Sequence, residues 1–381
     1  MKRIVVCCDG TWNSPAQANT TNVYKISRAI PESGADGVEQ LVYYDEGVGA
    51  GSLLERLPGA FGIGVWRNVQ RAYRHVVDHY EPGDEVYLIG FSRGAYTVRS
   101  AAGMIRKCGV LRRDNIAQLK QAYSFYRDRK VAPADDVAME FRAANSVLIG
   151  GDDPYVPPLR FVGVWDTVGA LGVPPGLFST PVQKLLQYLF NRGIAFHDVA
   201  LSRSVERAYQ ALAIDERRGD YRPSIWEQHP EARLQVLEQR WFSGVHTDVG
   251  GGAADPRQPE HTLTWMIDKA RAAGLSFDAA YLQANVHDSI DGRLNSSVGY
   301  IFKLRPFYRR PIGEGVPVAE ATYLAGASNE DVDPAVIDRN LKDPKYLPPN
   351  LVAYYRAHPD VLPPADAART IGQERSGAPF S

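Results

Sequence analysis

The chain has 381 residues, with 43 Lys+Arg against 44 Asp+Glu and a formal net charge of −1. That balance excludes a whole-chain nucleic-acid binder, which carries a basic excess, and 44% hydrophobic with 23% charged residues excludes global disorder and collagen-like or low-complexity classes. The length fits one large domain with insertions, or two domains, with a core that needs no disulfide or metal staple.

Arg3 to Cys8 is an apolar run that predicts a buried strand, ending in the turn Asp9-Gly10-Thr11-Trp12-Asn13. Met1-Lys2-Arg3 ahead of it looks like the start of a secretory signal, but Asp9 stops the apolar stretch after five residues, too short for an h-region. No other stretch is long enough to span a bilayer. The expectation is a protein made in the cytoplasm; export without a cleaved signal and peripheral contact with a lipid surface both stay open. Cys7, Cys8 and Cys108 are odd in number and without a spacing pattern, so they read as small buried thiols of a reducing compartment.

Gln40 to Tyr44 predicts a second strand, running into Asp45-Glu46-Gly47-Val48-Gly49. Val65, Val69, Ala72, Val76 and Tyr80 recur at helical spacing and predict an amphipathic helix over 65–80. After the Pro82-Gly83-Asp84 turn, Glu85 to Gly90 predicts a third strand, and Arg93 to Lys107 a helix of small residues stopped at Cys108-Gly109. Leu159 to Trp165 is a fourth strand, Leu237 to Val245 a fifth and Ser297 to Leu304 a sixth candidate. Pro154 to Pro158 and Pro174 to Pro181 are loop-rich. Residues 171–239 hold helical patterns at Pro181 to Arg192 and Ser202 to Ala213, and are expected to form a lid-like insertion. Beyond Asp343 the chain is rich in Pro and Ala, and 346–381 is expected to be a loosely held tail, packed on or extending from a domain over 1–345. Apolar strands alternating with helices predict an α/β class with a mostly parallel central sheet covered on both faces.

Gly90-Phe91-Ser92-Arg93-Gly94 matches G-x-S-x-G between a predicted strand and a predicted helix. In that context the serine sits on a tight turn with its hydroxyl clear of the sheet, and the helix N-terminus faces developing negative charge. Serine needs a base, and the base an orienting carboxylate. Functional groups of a parallel sheet collect beyond the carboxyl ends of its strands. Asp166 follows the fourth strand and His246 the fifth, in the order Ser92, Asp166, His246. His197 is the rival base, reaching in from the insertion, and Asp248 the rival acid, although its place beside Gly250-Gly251-Gly252 suits a backbone-binding role. His75, His79, His229, His261, His287 and His358 lack strand-end context. Oxyanion donors are expected from the N–H of Arg93 and from Gly10 or Thr11. Asp9 is expected to brace that loop; a metal role with Asp45 or Asp248 lacks ligand spacing. No cofactor or metal is called for.

The segments Cys7 to Asn13, Tyr44 to Gly49, Gly90 to Ala95, Val164 to Gly169 and Gly244 to Gly252, in that order, resemble the uncharacterised α/β-hydrolase domain family that includes bacterial type VI secretion phospholipase effectors. Phe196 to Arg218 is similar to a further family segment, and the resemblance spans residues 2–345. It implies the α/β-hydrolase fold, Ser92, Asp166 and His246 as the triad, a structural or lid role for 196–218, and a lipid or phospholipid ester as substrate. The chain departs from the family at Asp333, where members often carry histidine, and it has no room for the large membrane-binding region of many effectors. The expected activity is hydrolysis of carboxylic esters, with lipase or phospholipase as the favoured subclass. Pro181 to Phe190 is apolar enough to line an acyl site or touch lipid, and equally fits a packed core helix. The alternative is a non-catalytic binding or scaffold protein that keeps the fold.

Overall fold

Runs of β-branched, aliphatic and aromatic residues become parallel strands: β1 (Arg3–Cys8), β2 (Gln40–Asp45), β3 (Glu85–Phe91), β4 (Leu159–Trp165), β5 (Arg207–Ala213), β6 (Val236–Phe242) and β7 (Glu330–Val332). They pair in the order β2-β1-β3-β4-β5-β6-β7, every neighbouring pair parallel. The structure, a computed structural model, describes residues 1–10, 19–47, 60–168, 200–297, 308–315 and 326–361. Among them the helices are α1 (Asn22–Ala29), α2 (Ala60–His79), α3 (Arg93–Cys108), α4 (Leu119–Arg127), α5 (Asp136–Asn145), α6 (His246–Gly250), α7 (Arg257–Ala272), α8 (Ala279–Asn285), α9 (Pro334–Lys342) and α10 (Pro349–Ala357).

Alternate side chains of one strand feed two cores, because successive residues point to opposite faces. Ile4, Val6 and Cys8 pack with Val69 and Val76 of α2 and with Val98 and Ile105 of α3. Val5 and Cys7 pack on the other face with Val23 and Ile26 of α1 and Leu263 and Met266 of α7. Each such aliphatic side chain, fully buried, contributes about 2 kcal/mol. The expected parallel sheet with helices on both faces is the observed one. Cys7, Cys8 and Cys108 are all buried as free thiols.

Three expectations are corrected. Ser202 to Ala213 is not helical: Arg207–Ala213 is β5, buried along nearly its whole length in the middle of the sheet. Arg207–Ala213 therefore belongs to the sheet, not to an insertion over it; residues 169–199 of the expected lid lie outside the described residues. The tail is not loose over 349–357: Leu351, Tyr354 and Tyr355 of α10 share a core with Leu212 of β5, Trp241 of β6 and Val332 of β7. The sixth candidate strand falls outside the described residues except for Ser297, and the last strand among the described residues is the short β7.

The sheet closes on α3 at unusually short range. A β-carbon on Gly94 would collide with the Cys8 carbonyl oxygen and sit 2.6 Å from that of Asp9. Backbone cannot yield as a side-chain tip does, so Gly94→Ala is expected to cost about 3 kcal/mol or more. The check is the denaturant midpoint at unchanged m-value; a change below about 0.5 kcal/mol would contradict this packing.

Candidate active site

The sheet register sets several strand ends level. Cys8 lies opposite Gly90, Phe91 opposite Trp165 and Ala213 opposite Phe242. Asp9, Ser92, Asp166 and His246 follow these ends and so share one rim of the sheet.

Ser92 stands between β3 and α3 with φ 57° and ψ −118°. Such a left-handed conformation costs a non-glycine residue about 1–3 kcal/mol and persists only where the surroundings enforce it. Its N–H donates to the Trp165 carbonyl at 3.0 Å, and its hydroxyl makes no capping bond to the helix it precedes. A β-carbon on Gly90 would lie 2.6 Å from the Gly94 carbonyl oxygen, so both glycines are needed for the turn to close.

Asp166 also has a positive φ, 41°, at the end of β4 and is completely buried. Its Oδ2 accepts from Nδ1 of His246 at 2.5 Å. Oδ1 and Oδ2 accept from Nη1 and Nη2 of Arg310 at 2.5 and 3.0 Å, and Oδ1 also from the Ala213 N–H at 3.2 Å. Burial opposes the charge, but the Arg310 cation and the His246 bond outweigh it and hold this carboxyl well below the usual carboxylate range. Burial pulls His246 below its ordinary 6.5, against the opposing pull of Asp166. The imidazole packs on the ring of Phe91, the residue before Ser92, with centroids 4.6 Å apart. It meets the Tyr221 ring edge-on at 4.9 Å. The guanidinium of Arg218 covers Tyr221 at 3.6 Å and is paired with the buried Glu216, whose Oε2 also accepts from the His246 N–H at 3.4 Å.

Arg310, Glu216 and Tyr221 were not singled out from the sequence. Arg310 sits in Tyr308-Arg309-Arg310-Pro311, which carries no motif. Glu216 falls in a segment read as structural or lid material. The charge alternation Asp215-Glu216-Arg217-Arg218 directly after a strand was the available signal, once β5 is known to end at Ala213.

Asp9 is buried: its Oδ2 accepts from Thr21 Oγ1 at 2.5 Å and from the Tyr44 hydroxyl at 2.7 Å. Its Oδ1 accepts from the Gly10 N–H at 2.6 Å. This N–H, expected as an oxyanion donor, serves Asp9 here; Thr11, the other expected donor of this loop, lies outside the described residues. Asp248 is not a rival acid. Its carboxylate accepts from the N–H of Val245, capping α6, and from Asn295, rather than from the glycine turn. Asp45, at the end of β2, lies 3.8 Å from Arg71, and burial raises its carboxyl to about 6. His197 lies outside the described residues.

Residues 2–269 match the family described as T6SS, phospholipase effector Tle1-like, catalytic domain. The chain belongs to this family. Its seven-stranded parallel sheet with helices on both faces is the α/β-hydrolase arrangement. A relative is the uncharacterised protein YEL023C of Saccharomyces cerevisiae, 26% identical over 243 residues, which are 58% of this chain and 32% of the yeast protein. The chain thus spans about a third of that relative. Among solved structures, an uncharacterised protein from Pseudomonas aeruginosa is 15% identical with a TM-score of 0.41, covering 72% of this chain and 46% of its own. The Tle1 effector bound to the VgrG spike is 16% identical with a TM-score of 0.38, covering 66% of this chain and 51% of its own.

Asp333, the departure from the family pattern, caps α9 by accepting from the Ala335 N–H at 2.9 Å. It also accepts from His261 Nε2 at 3.1 Å, while Asp288 takes Nδ1 at 2.9 Å. Burial works against charge on His261, but the two carboxylates prevail and raise the imidazole to about 9. A folded-state value above the unfolded one gives stability fully present below about pH 6.5 and lost as pH rises through about 9. His261→Gln is expected to unfold about 3 °C or more below the parent near pH 6, with the gap closing toward about pH 10. A gap independent of pH would contradict the assigned charge.

Proposed function

We propose that this chain is a serine hydrolase of carboxylic esters, with phospholipid acyl esters as its substrate class, acting through Ser92, His246 and Asp166. The observation that carries the reading is the Asp166–His246 bond, made across 80 positions of sequence and packed against the elbow that holds Ser92. With Nδ1 engaged by Asp166, Nε2 is the nitrogen left to act as base. It takes the Ser92 hydroxyl proton as Oγ attacks the ester carbonyl carbon. The resulting oxyanion meets the N–H of Arg93, at the N-terminus of α3 directly after the nucleophile, and that of Thr11 in the loop after Asp9. His246 gives the proton to the departing alcohol, leaving acyl-Ser92. Water, deprotonated by the same imidazole, releases the acid.

The family's description as a phospholipase effector supports a lipid ester, and its type VI assignment fits export without a cleaved signal. Among the described residues no helix is long and apolar enough to cross a membrane. The strained backbone of Ser92 and the buried ion set behind His246 disfavour the scaffold alternative, since a binding module gains nothing from either.

On a p-nitrophenyl ester series from acetate to palmitate, and on phospholipid micelles, Ser92→Ala and His246→Ala are expected to lower kcat by about 10⁴-fold or more and Asp166→Asn by about 10³-fold or more. Catalysis needs neutral His246, so kcat/KM should rise with pH to a plateau with a midpoint below about 6.5. Activity retained in His246→Ala would overturn the base; a binding protein would hydrolyse none of the series.

A further inference from the structure

Arg310 comes from a segment beyond residues 2–269, the part matched to the family's catalytic domain. Its guanidinium is fully buried and makes four hydrogen bonds, from two nitrogens to three residues. Nη1 and Nη2 form a fork on both oxygens of Asp166, and the same nitrogens donate to the carbonyls of Ala213 at 2.9 Å and Tyr221 at 2.5 Å. Its backbone is held in turn: Asn350 of α10 donates from Nδ2 to the Arg310 carbonyl at 3.2 Å and to that of Ile214 at 2.9 Å. A planar fork fixes a carboxylate's orientation as a lone ammonium cannot. It also cancels the charge that Asp166 would otherwise present to His246.

We propose that Arg310 is a positioning residue of this site, clamping Asp166 in the plane His246 needs and neutralising it, so that the site is complete only with the segment after residue 269. The inference rests on the serine-hydrolase reading. Asp166 and His246 are the two ends of one hydrogen bond, so a carboxylate freed to rotate loses the tautomer that leaves Nε2 as base. The charge has a separate effect. Among the described residues, the titratable and charged groups facing His246 are Asp166 from the end of β4 and Glu216, Arg218 and Tyr221 from the segment after β5; Asp248 on its own helix turns its carboxylate to Val245 and Asn295, and Phe91 of β3 adds no charge. With Arg310 removed, Asp166 acts on the imidazole as an uncompensated anion and favours the imidazolium.

The test compares Arg310→Lys and Arg310→Met in the full chain, with Ser92→Ala as control. Two quantities are read: the pH profile of kcat/KM on a p-nitrophenyl ester, and the titration of His246 followed by NMR of 15N-histidine-labelled protein, assigned with His246→Gln. Arg310→Lys keeps the charge and loses the fork: kcat is expected to fall about 10²-fold with KM within about twofold, and the His246 midpoint to stay in place. Arg310→Met loses both, and the His246 midpoint should move up by about one pH unit or more. A structural role alone would lower the amount of folded protein without moving the midpoint or dividing kcat from KM. Should Arg310→Met fail to fold, the kcat loss in folded Arg310→Lys decides. Folded Arg310→Lys with parental kcat, or folded Arg310→Met with an unmoved His246 midpoint, overturns the proposal. Activity that survives Ser92→Ala removes the serine reading instead, and the NMR titration still reports on the clamp.

Discussion

A fully ionised carboxylate with no water around it is the constraint on which the site turns. Stripping an ion of solvent costs several kcal/mol even after the protein relaxes, and Asp166 is completely buried. The cost is offset by Arg310, by the Ala213 N–H and by His246, which reach the same two oxygens from positions 310, 213 and 246. Removing any one leaves a charge or a donor unmet in a dry place. The pieces of chain that supply them are thereby fixed relative to one another: the ends of β4 and β5, the short helix α6 after β6, and the segment ahead of β7. The order of the sheet is the order in which these groups become neighbours.

A second set of contacts ties the nucleophile side to this anchor. Gly94 lets α3 approach the end of β1 so closely that the Cys8 carbonyl occupies the space of a side chain. Gly250 does the same for the Phe91 ring, against which His246 rests. On the far side, Asp9 receives Thr21, Thr21 caps α1 by accepting from the Tyr24 N–H, and the same residue bridges to Gly251 just after α6. Asp9, the turn at Ser92 and the imidazole are thus held by backbone contacts and short polar side chains, which have little freedom to drift.

Strands buried on both faces were legible where their residues are β-branched or aromatic. Arg3–Cys8, Glu85–Phe91 and Leu159–Trp165 read directly as strands, and with them the positions of Ser92 and Asp166. β5 was not legible. Arg-Ala-Tyr-Gln-Ala-Leu-Ala carries three helix-favouring alanines and a glutamine, yet tertiary context makes it a central strand. Its Gln210 is satisfied across the sheet by Gln239 at 2.8 Å and by the Ser224 carbonyl at 3.0 Å, partners that no local pattern reveals. β7 is three residues long, too short for periodicity to register. Arg310 was invisible for the same reason as Gln210: its meaning lies in a partner 144 positions away. The Gly10 contact was not legible because a turn sequence does not say whether its N–H faces the site or its own neighbour's carboxylate.

The most direct measurement is peptide mapping by mass spectrometry after reaction with a fluorophosphonate, which bonds covalently to a serine only when a neighbouring base activates it. A single adduct on Ser92, formed about 10³-fold or more slowly in His246→Ala, is the predicted result. An adduct elsewhere, or Ser92 labelled as slowly in the parent as in His246→Ala, would contradict the assignment of nucleophile and base.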